Sequence, residues 1–151
     1  MNMAAGSDGI THLTEVIVAH LREKGVAVTP CGALAGKPAD YVDAAREVAE
    51  AVASGACQQG ILFCNTGTGV TIVANKVPGV RAAPCPDAHT ARIARLANNA
   101  NVLVLGMRLT GEMAAKEIVD AWLATAPSDE PRRIVFHRKT DEVDRNYRKT
   151  P

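Results

Sequence analysis

The sequence predicts an α/β protein, a three-layer α/β/α sandwich around a five-stranded parallel sheet. Three observations predict it. Short apolar runs alternate with stretches of helical periodicity along most of the chain, and repeated strand–helix units build a parallel sheet through right-handed crossovers. The composition is 47% hydrophobic but only 3% aromatic, so the core is aliphatic, as suits a sheet covered on both faces by Ala-rich helices. At 151 residues the chain has the length of one domain with a proper core.

The elements follow in order. Met3–Gly6 is the first strand, with Ser7 and Asp8 at its end. Leu13–Lys24 is an amphipathic helix, because Val16, Ile17, His20 and Leu21 recur at helical spacing. Val26–Cys31 is the second strand, and Tyr41–Ser54, rich in Ala and Glu, the next helix. Gly60–Cys64 is the third strand, and Thr68–Lys76 a helix after a glycine turn. Pro78-Gly79 breaks the chain before a fourth strand, Val80–Cys85. Asp87 caps a helix that runs through Ala91, Ile93, Ala94 and Leu96 to the polar Asn98-Asn99. Val102–Met107 is the fifth strand and Gly111–Ala124 a helix. Pro127–Pro131 reads as a linker, and the charged tail from Ile134 to Arg148 as a last helix. The division is therefore 1–126 for the sheet domain and 127–151 for the linker and tail. No internal repeat or low-complexity segment is visible.

Composition also excludes functions. A net charge of +1 argues against a general nucleic-acid binder. No apolar run is long enough to span a bilayer, and the N-terminus lacks the apolar stretch of a secretory signal. Cys31, Cys57, Cys64 and Cys85 form no Cys-x-x-Cys pair, and no Cys/His cluster has zinc spacing. Free cysteines point to a reducing, cytoplasmic setting. Cys31, Cys57 and Cys85 read as small core residues.

The stretch Ile61-Leu62-Phe63-Cys64-Asn65-Thr66-Gly67-Thr68-Gly69-Val70 carries the chemistry. A strand that feeds a glycine turn and then a helix gathers backbone N–H groups around one point, with the helix dipole behind them. That favours a phosphate or a developing oxyanion. Cys64 stands beside it, where a thiolate is stabilised. The pattern is neither the dinucleotide fingerprint nor the phosphate loop ending in Gly-Lys-Ser/Thr. In parallel α/β sheets ligands bind beyond the carboxyl ends of the strands. Asp8, Cys64 with its turn, Cys85-Pro86-Asp87 and Gly106-Met107-Arg108 all fall at predicted carboxyl ends, so one crevice could hold them.

Four segments together resemble the ribose-5-phosphate isomerase type B family, which also contains the galactose-6-phosphate isomerase subunits. They are Gly6-Ser7-Asp8, Asp40-Tyr41, the run GILFCNTGTGVTIVANK from Gly60 to Lys76 continuing through Val77-Pro78-Gly79-Val80-Arg81-Ala82-Ala83, and Asn98-Asn99-Ala100-Asn101-Val102-Leu103 with Gly106-Met107-Arg108. The resemblance covers the chain to about Ala124. It implies a Rossmann-like fold and aldose–ketose isomerisation of a sugar phosphate through a cis-enediol(ate), without metal or cofactor. It also implies a homodimer or homotetramer with active sites at subunit interfaces and the C-terminal tail packed on a partner subunit. By the same resemblance Cys64 is the proton-transfer base, and Thr66 assists the proton between the two oxygens. The amides from Asn65 through Gly67, Thr68 and Gly69 to Val70 form the anion hole. Asp8 and Asn98 bind hydroxyls, and Arg108 with the tail residues Arg133 and His137 binds phosphate, as Arg geometry suits.

The chain departs from the family pattern at informative places. Gly9 stands where the family usually has histidine, Ala97 where its ring-opening histidine lies, and Asn65 where glycine usually follows the cysteine. The tail basics are rearranged as Arg132-Arg133 and His137-Arg138. A pentose 5-phosphate is mostly a furanose ring and must be opened. A tetrose 4-phosphate cannot close that ring, because its C4 oxygen carries the phosphate, and needs no ring opener. The substrate expected from Ala97 is thus a four-carbon or other open-chain sugar phosphate, with ribose 5-phosphate next. Alternatively His89 or His12 replaces the missing histidine. Two other readings stand beside the enzyme: a non-catalytic or hetero-oligomeric sugar-phosphate-binding subunit, and a redox sensor in which the fold brings Cys85 near Cys64.

Overall fold

Thr11, Asp40 and Asp87 start helices by one device: an extended residue whose side chain accepts a hydrogen bond from the N–H three residues on. In the computed structural model, which describes residues 1–147, they open α1 (His12–Glu23), α2 (Tyr41–Ala53) and α4 (Ala88–Asn98). Thr11 and Thr14 close a reciprocal capping box. The remaining helices are α3 (Thr68–Ala74), α5 (Glu112–Leu123) and α6 (Pro131–Tyr147), the last opening on the proline that suits a first helical position. The strands are β1 (Asn2–Ser7), β2 (Ala27–Gly32), β3 (Gln59–Cys64), β4 (Ala82–Pro84) and β5 (Val102–Gly106).

All strand pairs are parallel, in the order β2-β1-β3-β5-β4. The alternation of β3 shows how the sheet is sandwiched. Ile61 and Phe63 join Ile17, Leu21, Leu103, Leu105, Ile118 and Trp122 on one face, under α1, α4 and α5. Leu62 and Cys64 join Val48, Val70, Val102 and Val104 on the other, under α2 and α3. Glycine lets α2 lie flush on the sheet: a Cβ at Gly6 or Gly60 would come within 2.6 Å of Val48.

Both sheet edges are blunted. Pro30 sits in edge strand β2, where a missing N–H costs least. On β4 the Asn75 amide imitates a neighbouring strand, donating to Ala82 O at 2.9 Å and accepting from Ala82 N–H at 2.8 Å. The predicted strand Val80–Cys85 is correspondingly cut to Ala82–Pro84, because Gly79–Arg81 belongs to a turn bound by Asn101. The apolar stripe read on α1 is shifted as well. Leu13, Thr14, Ile17 and Leu21 are its buried residues, and His20 bonds Asp120 of α5 at 2.7 Å. The tail is helical as expected, yet none of the 17 residues of α6 is buried. Within this chain it lies against α4 and the Gly79–Pro84 segment. The predicted end of that helix at Arg148 lies outside the described residues. No described helix is long and apolar enough to cross a membrane.

Candidate active site

From β1 the chain passes to β2 on one side, whereas β3 lies on the other. The carboxyl ends of β1 and β3 therefore flank a topological switch point, where open α/β sheets leave a crevice for ligands. Asp8, exposed, directly follows β1, and Cys64 ends β3. The register aligns them, with Ser7 opposite Phe63 and Cys64 opposite Gly106. The Cys64 side chain belongs to the α2–α3 face and is 8% exposed, buried with an opening at the sheet's end.

The turn after Cys64 is pinned from β5. Met107 N–H donates to Cys64 O at 2.7 Å and Arg108 N–H to Asn65 O at 3.0 Å. A Cβ at Gly106 would stand 2.9 Å from Thr66 O, so only glycine allows so close an approach. Gly67 closes the turn in the left-handed region, φ 86°, and is the N-cap of α3. The amides of Thr68, Gly69 and Val70 then occupy a first helical turn, where N–H groups have no acceptor within the helix. The Thr66 hydroxyl lies 2.9 Å from that of Thr68. Arg108, exposed, extends from the same carboxyl end as Cys64.

Tyr41 was not foreseen as part of this end. It is the first residue of α2, and its ring covers Gly69 so closely that a Cβ there would lie 2.8 Å from it. The Asp40-Tyr41 pair was a signal, but nothing local places it over a turn almost thirty residues away. Around Asp8 the floor is open: Ser7 Oγ accepts from Gly9 N–H at 3.2 Å, and a Cβ at Gly9 would meet nothing within 4 Å.

Both histidines considered as replacements lie on the first turns of helices. His12 pairs with Glu112 at 3.1 Å. His89 is exposed on the first turn of α4, which follows β4, two strands from β3, or about 10 Å across the sheet. The redox pairing fails on geometry. Cys85 packs on the α1–α5 face, opposite Cys64, and burial pushes its thiol up to about 12. Burial likewise raises Cys31, to about 11.

Asn98, Arg133 and His137 form a second group. With Ala97 they line a cavity of about 570 Å³ between α6 and the Gly79–Pro84 segment, and neither Cys64 nor residues 65–70 line it. His137 Nε2 donates to Ala97 O at 2.9 Å. Asn98 ends α4 ahead of β5, at the amino end of the sheet, whereas Cys64 pairs with Gly106 at the other end of that strand. The five residues of β5 separate them by roughly 15 Å. One chain thus brings Asp8, Cys64, the turn and Arg108 to one end, and Asn98, Arg133 and His137 together elsewhere. Within one chain Asn98 therefore stands apart from the end of the sheet that carries Cys64.

A family model described as Ribose/Galactose Isomerase matches residues 3–137. The chain is 47% identical to ribose-5-phosphate isomerase B of Escherichia coli over 111 residues, 74% of each chain. It is 44% identical to D-erythrulose-4-phosphate isomerase of Pectobacterium atrosepticum over 125 residues, 82% of each. Among solved structures, ribose-5-phosphate isomerase B of Clostridium thermocellum superimposes with a TM-score of 0.90 at 41% identity, covering 98% of this chain and 100% of that one.

Proposed function

The chain belongs to the ribose/galactose isomerase family, and from that premise we propose the substrate and the roles of its residues. It is a sugar-phosphate isomerase, and we infer that it interconverts the aldose and ketose forms of a four-carbon or other open-chain sugar phosphate. The observation that carries the reading is the meeting of Asp8, Cys64 and the Gly67 turn at the β1/β3 switch point.

In the aldose-to-ketose direction the Cys64 thiolate removes the proton from C2. The C–H electron pair becomes the C1–C2 double bond, and the carbonyl π pair moves onto O1. The first-turn amides beside Gly67 hold that oxyanion, which is where fixed dipoles lower a barrier most. Thr66 Oγ passes a proton between O2 and O1, and Cys64 returns its proton to C1. Asp8 holds a substrate hydroxyl across the crevice and the Tyr41 ring walls the turn. Arg108 stands at the same end as a phosphate partner.

Asn98, Arg133 and His137 act on the Cys64 site of a second copy, which makes the enzyme a homodimer at least. Their shared cavity supports this: Arg133, His137 and Asn98 are gathered in a space that neither Cys64 nor the 65–70 turn of their own chain lines. The four-carbon reading rests on the alanine at 97 and the open space at Gly9, and on the relative named for erythrulose 4-phosphate. Turnover of erythrulose 4-phosphate, ribose 5-phosphate, allose 6-phosphate and galactose 6-phosphate tests it, together with Cys64→Ala. The variant should lose about 10²–10⁴ in kcat while still binding inorganic phosphate. Faster turnover of ribose 5-phosphate than of the tetrulose phosphate would defeat the substrate reading. An active Cys64→Ala would defeat the mechanism.

A further inference from the structure

We propose that Arg81 is a positioning residue for the half-site formed by Ala97, Asn98, Arg133 and His137, an inference that rests on the phosphate role given above to Arg133 and His137. A single guanidinium ties together the two elements that supply this half. Its Nε donates to Asn99 O at 2.7 Å. Its Nη1 reaches Asp141 Oδ1 on α6 and Gly79 O, both at 3.4 Å. Its backbone is held too: the N–H donates to Asn101 Oδ1 at 2.7 Å, and the carbonyl accepts from Asn101 N–H at 3.0 Å.

The hold on Asn99 controls the end of α4. Among the described residues Asn99 is the one non-glycine with positive φ, 51°, and it closes the helix in the left-handed conformation. Its N–H turns back to Arg95 O at 3.2 Å, while its carbonyl projects outward to Arg81. A cation there also complements the negative end of the helix. Ala97 and Asn98 immediately precede this turn, so fixing the Asn99 carbonyl fixes where the Asn98 side chain and Ala97 O point. Ala97 O in turn receives His137 Nε2–H.

The hold on Asp141 controls α6. That helix buries no residue, so its register depends on polar points of attachment. Among the described residues they include Arg81 to Asp141, Gly79 N–H to Asp144 Oδ2 at 2.9 Å, and His137 to Ala97 O. Asn101 Nδ2 braces Gly79 O at 2.9 Å, tying that turn back to the strand. Arg81 thus stands between both supports of Arg133 and His137 without being required to touch substrate. A lysine could not replace it, because a single ammonium has no fork to span the Asn99 carbonyl and the Asp141 carboxylate together.

The test compares Arg81→Ala, Arg81→Lys, Asp141→Ala, Asp141→Asn and Arg133→Ala in the full chain. It reads kcat, KM on the best-turned substrate of the panel, binding of inorganic phosphate, melting temperature, and the rate at which iodoacetamide alkylates Cys64. Arg81→Ala should raise KM and weaken inorganic phosphate about tenfold, the effect of one charge-assisted hydrogen bond, with kcat within about threefold by the same scale and Cys64 alkylation unchanged. Arg81→Lys should share the direction of that effect, and it carries the test if the alanine variant does not fold. Asp141→Asn, which keeps an acceptor oxygen, should recover most of what Asp141→Ala loses. If Arg133→Ala weakens phosphate binding while Arg81→Lys and Asp141→Ala leave it and KM within about twofold of the parent, the positioning role is overturned. Loss of kcat and melting temperature at unchanged KM overturns it equally. If Arg133→Ala itself leaves phosphate binding unchanged, the phosphate role falls first, and this inference with it.

Discussion

Replacing Gly106 by alanine should damage the enzyme twice, and the size of each effect can be worked from the structure. Gly106 has no left-handed φ, so alanine meets no conformational penalty of its own there. The cost comes from the added methyl, which would lie 2.9 Å from Thr66 O, 3.1 Å from Thr66 C and 3.3 Å from a Leu109 methyl. Leu109 is exposed and can swing away. Thr66 is backbone and cannot. The turn must retreat by several tenths of an ångström, against the Met107–Cys64 and Arg108–Asn65 hydrogen bonds that pin it. Overpacking of this kind costs about 1–3 kcal/mol, or a fall of about 2–12 °C in melting temperature for a chain of this size. The same retreat moves Thr66 and the Gly67 turn relative to Cys64, and, on the proposed mechanism, misplacement on an ångström scale costs up to about 10²-fold in rate. Calorimetry and steady-state kinetics on Gly106→Ala read both effects, with Gly9→Ala as the control for melting temperature alone, since a methyl there meets nothing within 4 Å. A Gly106→Ala enzyme with parental melting temperature and parental kcat would refute the reasoning.

Three further outcomes follow from the same geometry. Gly69→Ala should leave stability within about 1 kcal/mol of the parent, because helix propensity gained in α3 offsets displacement of a half-exposed ring; KM should nevertheless rise, and an unchanged KM would show that the Tyr41 wall plays no part in binding. Lys37 at 2.6 Å and the Gly32 N–H at 2.9 Å hold the Glu47 carboxyl below its ordinary 4.5, so its stabilisation is full above that value and fades as pH falls through the lower, folded-state value. Glu47→Gln should therefore lower the stability read by urea unfolding at pH 7, by about 1 kcal/mol or less, and the difference should shrink as the pH falls into the acid range; a difference that does not shrink in acid would assign the loss to packing instead. Burial raises Cys31 to about 11 and Cys85 to about 12, so iodoacetamide at pH 8 should leave both unmodified in the folded protein, as peptide mass mapping would show; rapid alkylation of either would mean that its surroundings open in solution.

The elements were legible because their signals are local. Thr11, Asp40 and Asp87 announce helix starts within three or four residues, and the aliphatic runs announce strands buried on both faces. The Cys64–Val70 turn was legible for the same reason, as its glycines and its cysteine are neighbours in the chain. Where the reading slipped, a distant partner had decided. Strand β4 is short because Asn101 binds the residues on either side of Val80. His20 faces Asp120, from a helix a hundred residues on. Cys85, by contrast, is the core residue it was read as, on the face of the sheet opposite Cys64.

By itself the sequence determined the class of the fold, the succession of its elements and the residue types collected at the Cys64 turn, since all of these depend on residues a few positions apart. Only the tertiary structure decided which of these groups can meet. Strand order sets Asp8 against Cys64 across the switch point, and one strand's length sets Asn98 about 15 Å away at the sheet's other end. Hydrogen-bonded register converts separation along the chain into distance in space, and it does so through pairings between strands that no single segment encodes.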